Sequence, residues 1–346
     1  MREANVAGKH VLVRADLNVP LENGQVADDT RIRSSLPTLH WLLEREVEEV
    51  VVASHLGRPD GVDPDYSLAP CAHRLRTLLP DERIRVLENT RFDERETEND
   101  PEFAAELADG MDLYVNDAFG SAHRAHASTE AVAHLLPAYA GLLLEAELEH
   151  LGRLLGDVER PFVLVAGGAK VKDKLGVLRN LGDRADRVIV GGKMAEELRE
   201  DNPLAFEVEL PTDVVAASTF EEDAETEVAP YDALPDGWLG LDIGPRSRER
   251  FAGVIAGART IFWNGPMGVF EWPAFAEGTK AVARAVADAD AYSVVGGGDS
   301  VRAINELGLS DRVSWVSTGG GASLELLEGK ELPGVAAIPA INSPHD

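Results

Sequence analysis

The sequence predicts an α/β protein with two domains, each built on a doubly wound parallel sheet, joined by a hinge helix. Three observations support this. Short apolar runs typical of buried strands alternate along the chain with amphipathic segments typical of helices. The loops after the strands are rich in Gly, Arg or His, and sheets of this kind bind ligands at the carboxyl ends of their strands. With 346 residues, the chain is long enough for two separate cores.

Composition limits the classes of function. Asp and Glu outnumber Lys and Arg by 61 to 33, which gives a net charge of −28 and argues against nucleic acid or an anionic membrane as a partner. No apolar run approaches the ~20 residues of a membrane-spanning helix, and the N-terminus lacks the apolar core of a secretion signal. Cys71 is the single cysteine, so we expect no intrachain disulfide and a cytoplasmic setting. The acidic excess and the scarcity of lysine are typical of adaptation to a salty, halophilic cytoplasm.

One amphipathic helix, expected over residues 142–155, divides the chain into halves of similar size. We expect a first domain over residues 1–141, a connecting helix over 142–157 and a second domain over 158–335. Residues 336–346 would form a C-terminal tail, for which a return to the first domain is one arrangement. Because no low-complexity linker separates the halves, the helix would couple the domains mechanically.

The first half places polar and basic side chains where its strands end. Arg14, Asp16 and Asn18 alternate near the end of the strand expected over 9–20, so they share one face, as binding of a polar ligand requires. A half-buried edge strand is the alternative. Arg31 lies in the first turn of the next helix, where a cation opposes the helix dipole and is better explained by a bound anion.

Later loops of the first half continue this pattern. Each follows an expected strand, and together they carry His55, Arg58, Arg91, His123 and Arg124. Any one of these arginines is readily explained as a solvated surface residue. Several such loops in an acid-rich chain instead predict a basic cup, because Arg suits bidentate binding of phosphate or carboxylate. We therefore expect a small, multiply anionic substrate.

The stretch from Pro161 to Leu175 is the main functional signal of the second half. An apolar strand is followed by Gly167 and Gly168 and then by three of the chain's seven lysines, at positions 170, 172 and 174. A strand, a Gly turn and a helix start bind phosphate through free backbone N–H groups and the helix dipole. A solvated basic helix face is the alternative.

Further Gly-rich turns follow in the second half. One is Gly296–Gly298, followed by Asp299 and Ser300, and another is Gly319–Gly321. Several such turns in one half suit the phosphate chain of a nucleotide. Asp299 is the candidate Mg²⁺ ligand, since Mg²⁺ takes one or two carboxylates plus phosphate oxygens, and a helix N-cap is its alternative role. The P-loop pattern and the ordered dinucleotide-binding pattern are both missing, which disfavours those enzyme classes.

Ten segments resemble, in the same order, motifs of the phosphoglycerate kinase family: HVLVRADLNVP, SHLGRP, ENTRF, NDAFGSAHRAHAS, GGAKVKDK, LPTDVV, LDIGP, FWNGPMGVFE, GGGDS and STGGGASLE. The resemblance implies two Rossmann-like domains with a hinge, the first binding the phosphoglycerate and the second the nucleotide. It implies reversible, Mg²⁺-dependent phosphoryl transfer between 1,3-bisphosphoglycerate and ADP, giving 3-phosphoglycerate and ATP in glycolysis and gluconeogenesis. The transfer would be direct and in line after domain closure, without a nucleophile or general base from the protein. We expect a monomer.

The resemblance also assigns roles to residues. It implies that the phosphoglycerate is bound by Asp16, Asn18, Arg31, His55, Arg58, Arg91, His123 and Arg124. It implies that the nucleotide is bound by Lys174, Glu271 at the ribose, Gly297, Gly298, Asp299 and Ser300, with Asp299 as the metal ligand. The groups implied to act on the transferring phosphoryl group are Arg31, Lys170, Gly319 and Gly321.

The chain departs from the family's pattern in length and in one motif. It is shorter, with gaps at 79–85 and 198–206, and GGKMAEEL stands where the family usually continues GGGMA with small or aromatic residues. Lys193, Glu196 and Glu197 are therefore expected to alter the adenine side of the pocket. Two rival interpretations are a nicotinamide dehydrogenase, which needs an early Gly fingerprint, and a non-catalytic binding protein, which would not need the intact Lys170, Arg31 and Asp299.

Overall fold

The structure, a computed structural model, describes residues 1–339 and divides into two compact units. The first unit comprises Met1–Glu149 together with the described residues from Glu331 onward, and the second comprises His150–Lys330. Of the expected tail, residues 336–339 group with the first unit, and residues 340–346 lie outside the described residues.

The first unit is centred on a parallel sheet. Its strands are β1 (His10–Arg14), β2 (Leu21–Glu22), β3 (Gln25–Val26), β4 (Glu49–Ala53), β5 (Ile84–Val86), β6 (Leu113–Asn116) and β7 (Ala138–Ala140). Its helices are α1 (Thr30–Leu43), α2 (Ala69–Leu78), α3 (Pro101–Ala108) and the larger part of α4 (Leu142–Leu155). The parallel sheet has the order β5-β4-β1-β6-β7, and β2 pairs with β3 as an antiparallel hairpin.

Strand β1 shows why this sheet is covered on both faces. Val11 and Val13 pack in one core cluster with Ile32 of α1, whereas Leu12 packs in another with Ala104 of α3. Successive strand residues point to opposite faces, so an uninterrupted apolar run predicts helices on both sides. The predicted doubly wound parallel sheet is confirmed.

The second unit contains a second parallel sheet. Its strands are β8 (Phe162–Ala166), β9 (Arg187–Val190), β10 (Asp213–Ala217), β11 (Thr226–Pro230), β12 (Leu239–Ile243), β13 (Thr260–Asn264), β14 (Tyr292–Gly296) and β15 (Trp315–Val316). Its helices are α5 (Leu175–Gly182), α6 (Lys193–Glu200), α7 (Pro245–Ala256), α8 (Glu277–Asp288), α9 (Gly298–Glu306) and α10 (Gly321–Leu327), and α11 (Pro333–Ala336) groups with the first unit. The parallel sheet has the order β15-β14-β13-β8-β9.

Strands β10 to β12 form a separate antiparallel sheet in the order β11-β10-β12, which the sequence did not predict. Strand β10 begins at Asp213. Asp213 is buried and accepts hydrogen bonds from the backbone N–H and the hydroxyl of Ser247, at 2.8 and 2.6 Å, in the first turn of α7. The acid therefore serves a helix start and does not mark a ligand site at a strand end.

Cys71 lies fully buried on α2, where its thiol donates to the Leu17 carbonyl at 3.5 Å. Burial raises the pKa of this thiol to about 11. Over residues 1–339, the helices are too short or too polar for any of them to cross a bilayer.

Candidate functional site

The basic side chains predicted in the first unit converge on His55, which follows β4 and is 4% exposed. Burial lowers the pKa of His55 well below its usual value, and the charges of Arg14, Arg91, Arg124 and Arg31 lower it further. The four guanidinium groups thus lie close enough to disfavour protonation of the ring. His55 is neutral, and the cluster around it is strongly cationic.

Arg14 anchors this cluster. The sequence placed it on one face with Asp16 and Asn18, but the family resemblance assigned it no role. It ends β1, is 1% exposed, and donates from Nη2 to His55 Nδ1 at 2.9 Å. Its Nη1 donates to the Ala15 carbonyl at 2.6 Å and its Nε to Ser128 Oγ at 2.7 Å. An arginine inside the apolar run HVLVRA was the available signal, because such a side chain needs buried partners.

Arg91 and Arg124 supply the half-buried part of the cluster. Arg91 donates from Nη1 to the Gly57 carbonyl at 2.5 Å, and its buried Nε has no hydrogen-bond partner among the described residues. Burial lowers the pKa of Arg91 to about 10, and neighbouring cations including Arg124 and Arg58 add to the effect. Arg124 donates from Nε to His123 Nε2 at 3.2 Å. A buried N–H without a partner is suited to a phosphate or carboxylate oxygen.

Asp16 and Asn18 lie in the loop that follows β1. Asp16 Oδ2 accepts from Arg31 Nη1 at 2.8 Å, and Asn18 Oδ1 accepts from the backbone N–H of Gly57 at 2.9 Å. Gly57 has a φ of 62°, and a Cβ there would lie 2.3 Å from the ring of Tyr66, so only glycine fits. The predicted phosphoglycerate residues therefore lie in loops linked to one another by hydrogen bonds and by charge.

In the second unit, Lys174 joins the ends of two neighbouring strands. Its Nζ donates to the carbonyl of Gly167 at 2.6 Å, just after β8, and to that of Asn264 at 2.9 Å, the last residue of β13. Burial lowers the pKa of Lys174 to about 8, while the carboxylates of Asp299 and Asp173 act in the opposite direction. The predicted phosphate-binding lysine thus lies at the carboxyl edge of the sheet.

Lys170 is exposed in the turn between β8 and α5. Two hydrogen bonds join this turn to helix α6. The backbone N–H of Val171 donates to Glu197 Oε2 at 2.9 Å, and the N–H of Met194 donates to the carbonyl of Gly168 at 3.1 Å. The unusual acid of GGKMAEEL therefore contacts the lysine turn directly. We call residues 167–174 the lysine turn.

Gly265 allows the turn after β13 to approach the lysine turn. It has a φ of 105°, and a Cβ there would lie 2.2 Å from the Gly167 carbonyl oxygen and 2.3 Å from Lys174 Nζ. Its backbone N–H donates to Ser300 Oγ at 2.5 Å, so the predicted nucleotide-binding serine fixes this turn to α9.

Asn264 is a further candidate that the sequence prediction missed. It is 3% exposed, and its Nδ2 has no hydrogen-bond partner within the described part of the chain. A Cβ on Gly297 would lie 2.7 Å from this Nδ2, so the buried amide faces the Gly297 turn. An asparagine directly after an apolar strand was the available signal.

Asp299 lies exposed in the first turn of α9. The N-cap of that helix is Gly297 and the helix begins at Gly298, so the alternative role of Asp299 as N-cap is not realised. Over residues 1–339, no group of three or more His, Cys, Asp or Glu side chains could hold a metal ion. Asp299 can supply one carboxylate, which suits Mg²⁺ when nucleotide phosphates supply further oxygens.

The remaining predicted residues are Gly319 and Gly321, in the turn that leads into α10, and Glu271. The Gly319 N–H donates to Ser317 Oγ at 3.3 Å, and Gly321 begins α10. Parallel pairing of β14 with β15 brings this turn to the same sheet edge as the Gly297 turn. Glu271 is exposed and pairs with Arg302 of α9, with 3.5 Å between Oε1 and Nη2.

Comparison with known proteins decides the family. A family model described as phosphoglycerate kinase matches residues 1–203 and 196–330. The chain belongs to the phosphoglycerate kinase family. The phosphoglycerate kinase of Rubrobacter xylanophilus is 53% identical over 383 residues, which cover 98% of this chain and 97% of that protein.

Two solved phosphoglycerate kinase structures are similar to this chain, each over 98% of both chains. The one from Coxiella burnetii has a TM-score of 0.87 at 39% identity, and the one from Pyrococcus horikoshii has 0.84 at 31%. Phosphoglycerate kinase activity (EC 2.7.2.3), in glycolysis, is therefore the activity of this chain. The alignment to the Rubrobacter protein exceeds the 346 residues present here, so that relative carries segments that this chain lacks.

Proposed function

We propose that the chain transfers one phosphoryl group directly and in line between 1,3-bisphosphoglycerate and ADP. The observation that carries this proposal is the cluster of guanidinium groups around a neutral His55, in a protein of net charge −28. Such a cluster favours a small, multiply anionic ligand. The attacking oxygen belongs to a diphosphate or a carboxylate, so the protein needs only to bind, orient and neutralise.

In this proposal, residues 1–141 form the phosphoglycerate-binding domain, and residues 336–339 of the tail group with it. The non-transferring phosphate and neighbouring groups bind to His55, Arg58, Arg91 and Arg124, and His123 belongs to the same substrate site. Asp16 and Asn18 hold the hydroxyl and carboxylate region. Arg31, which contacts Asp16 at 2.8 Å, extends toward the transferring phosphoryl group.

Residues 158–335 form the nucleotide-binding domain in this proposal, connected through residues 142–157. The ATP or ADP phosphates bind at the carboxyl edge of the sheet, to Lys174, Gly297, Gly298 and Ser300, while Glu271 contacts the ribose. Lys170 and the N–H groups of Gly319 and Gly321 stabilise the moving group. Bound Mg²⁺ would neutralise phosphate charge, with Asp299 as its protein ligand.

We also propose that the enzyme acts as a monomer in the cytoplasm, without nucleic acid or membrane as partners. The net charge of −28 supports the absence of nucleic-acid and membrane partners, because it opposes binding to polyanions. The single buried thiol is in keeping with a reducing compartment.

The residue roles are tested by removing one cation from each domain. Lys170→Ala and Arg31→Ala are each expected to lower turnover by ~100-fold or more, because each removes charge that neutralises the transferring group. The measurement is ATP consumption that depends on 3-phosphoglycerate and Mg²⁺, with thermal unfolding as the check on the fold. Lys172→Ala, at an exposed lysine of the same turn, is the matched control and should be near wild type. Near-normal turnover in both test variants would refute the assignment.

A further inference from the structure

We propose that Glu96 is a positioning residue for the phosphoglycerate site, acting through Ser128 on Arg14 and through Arg14 on His55. The inference rests on the proposed function in one respect, that the cationic cluster binds the phosphoglycerate. All four residues belong to the first unit.

Glu96 is a fully buried acid that is linked to the cluster through Ser128. Its Oε2 accepts the backbone N–H of Ser128 at 2.9 Å, and its Oε1 accepts the hydroxyls of Ser128 at 2.6 Å and Thr90 at 3.3 Å. Nδ1 of His126 lies 3.9 Å from Oε1, and burial lowers the pKa of that ring to about 4. A buried carboxylate is tolerated only when hydrogen bonds and opposite charge stabilise it. Glu96 accepts the three hydrogen bonds above, and its charge acts favourably with that of Arg91.

Each hydrogen bond between these residues has only one possible donor. A carboxylate only accepts, so the single hydroxyl proton of Ser128 is donated to Glu96. The lone pairs of that hydroxyl then accept Nε–H of Arg14 at 2.7 Å. Arginine only donates, so Nδ1 of His55 must accept from Arg14 Nη2 at 2.9 Å. The ring proton of neutral His55 is therefore on Nε2.

These hydrogen bonds leave Nε2–H of His55 as the donor that the ring presents to an anion. Arg14 has Nε, Nη1 and Nη2 all engaged within the protein, so it serves as a support for His55. Ser128 is itself held, because the Tyr114 hydroxyl donates to its carbonyl at 2.9 Å. Glu96 thus sets the plane of the Arg14 guanidinium and the tautomer of His55 without touching the substrate.

The test breaks the link between Glu96 and Arg14 at two points. Ser128→Ala deletes the hydroxyl between Glu96 and Arg14, and Glu96→Gln removes the charge with little change in shape. Both variants are expected to raise the KM for 3-phosphoglycerate on the order of tenfold and to leave the KM for ATP unchanged. Thr90→Val is the matched control, because the Thr90 hydroxyl donates to the same carboxylate but does not link it to Arg14. The KM values of this variant should stay near wild type.

A spectroscopic measurement examines the tautomer independently of substrate. In ¹⁵N spectra of the wild-type chain, His55 should show an unprotonated Nδ1 and a protonated Nε2, and Ser128→Ala should give a mixture of tautomers. A protonated Nδ1 in the wild type would overturn the inference. So would an unchanged KM for 3-phosphoglycerate in folded Ser128→Ala, or an equal effect in Thr90→Val. If Glu96→Gln does not fold, Ser128→Ala decides alone.

A variant at Arg124 separates this inference from the proposed function. If Arg124→Gln leaves the KM for 3-phosphoglycerate unchanged, the assignment of the cluster itself is wrong. If Arg124→Gln raises that KM and Ser128→Ala does not, only the positioning role of Glu96 is wrong.

Discussion

Lys174 is the site residue whose charge depends most directly on assay conditions. Its ammonium is buried against two carbonyls, and burial lowers its pKa to about 8. Because the pKa is lowered, the free protein keeps this charge below pH 8 and loses it as the pH rises further. Nucleotide phosphates favour the charged form, so the KM for ATP is expected to rise above pH 8. Steady-state kinetics on both sides of that pH measure the effect.

Arginine substitutions provide the controls for this prediction. Lys174→Arg keeps a charge at all pH values and should flatten the rise in KM, whereas Lys172→Arg, at the exposed neighbour, should leave it unchanged. A wild-type KM for ATP that stays constant through pH 8 would contradict the prediction.

The sequence predicted most of the basic residues of the cluster but not the buried contacts that support them. Arg58, Arg91 and Arg124 follow strands and are recognisable from that position. Arg14 is positioned by Ser128 and His55, which are 114 and 41 residues away along the chain. Contacts over such separations depend on tertiary packing, and neither local spacing nor composition encodes them.

At the scale of elements, α6 supports the lysine turn. Glu197→Ala removes the acceptor for the Val171 N–H, so we expect the KM for ATP to rise and turnover to fall, each by about tenfold. Glu197→Gln keeps an acceptor oxygen and should restore most activity. Glu200→Ala is the matched control, since that acid is exposed and lies three residues further along α6. Equal kinetics in the two alanine variants would contradict the prediction.

Periodicity predicted the parallel strands well and the connections less well. The run FVLVA is β8, as expected for a buried strand. Aspartate directly before α1 suits an N-cap, yet the Asp29 carboxylate makes no cap hydrogen bond and pairs with Arg33 and Arg74. A charged partner brought close by α2 outweighed the local cap, and such competition is settled only in the folded protein.

For the molecule as a whole, charge governs the response to salt. At a net charge of −28, repulsion among acids opposes the folded state. Molar salt shortens the screening length to ~3 Å, compared with ~30 Å at 0.01 M. We expect the thermal unfolding midpoint to fall on dilution from molar to low salt, as measured by calorimetry. Sucrose, which does not screen charge, should not restore the unfolding midpoint measured in molar salt. An equal midpoint in low and molar salt would rule out halophilic adaptation.

The buried thiol described above has a practical consequence for labelling. Cys71 has a pKa of about 11 and is shielded from solvent, so maleimide reagents will find almost no thiolate in the native protein. The chain has no second cysteine. A cysteine introduced at an exposed position would therefore become the sole attachment point for a fluorophore or spin probe, with the wild-type chain as its unreacted blank.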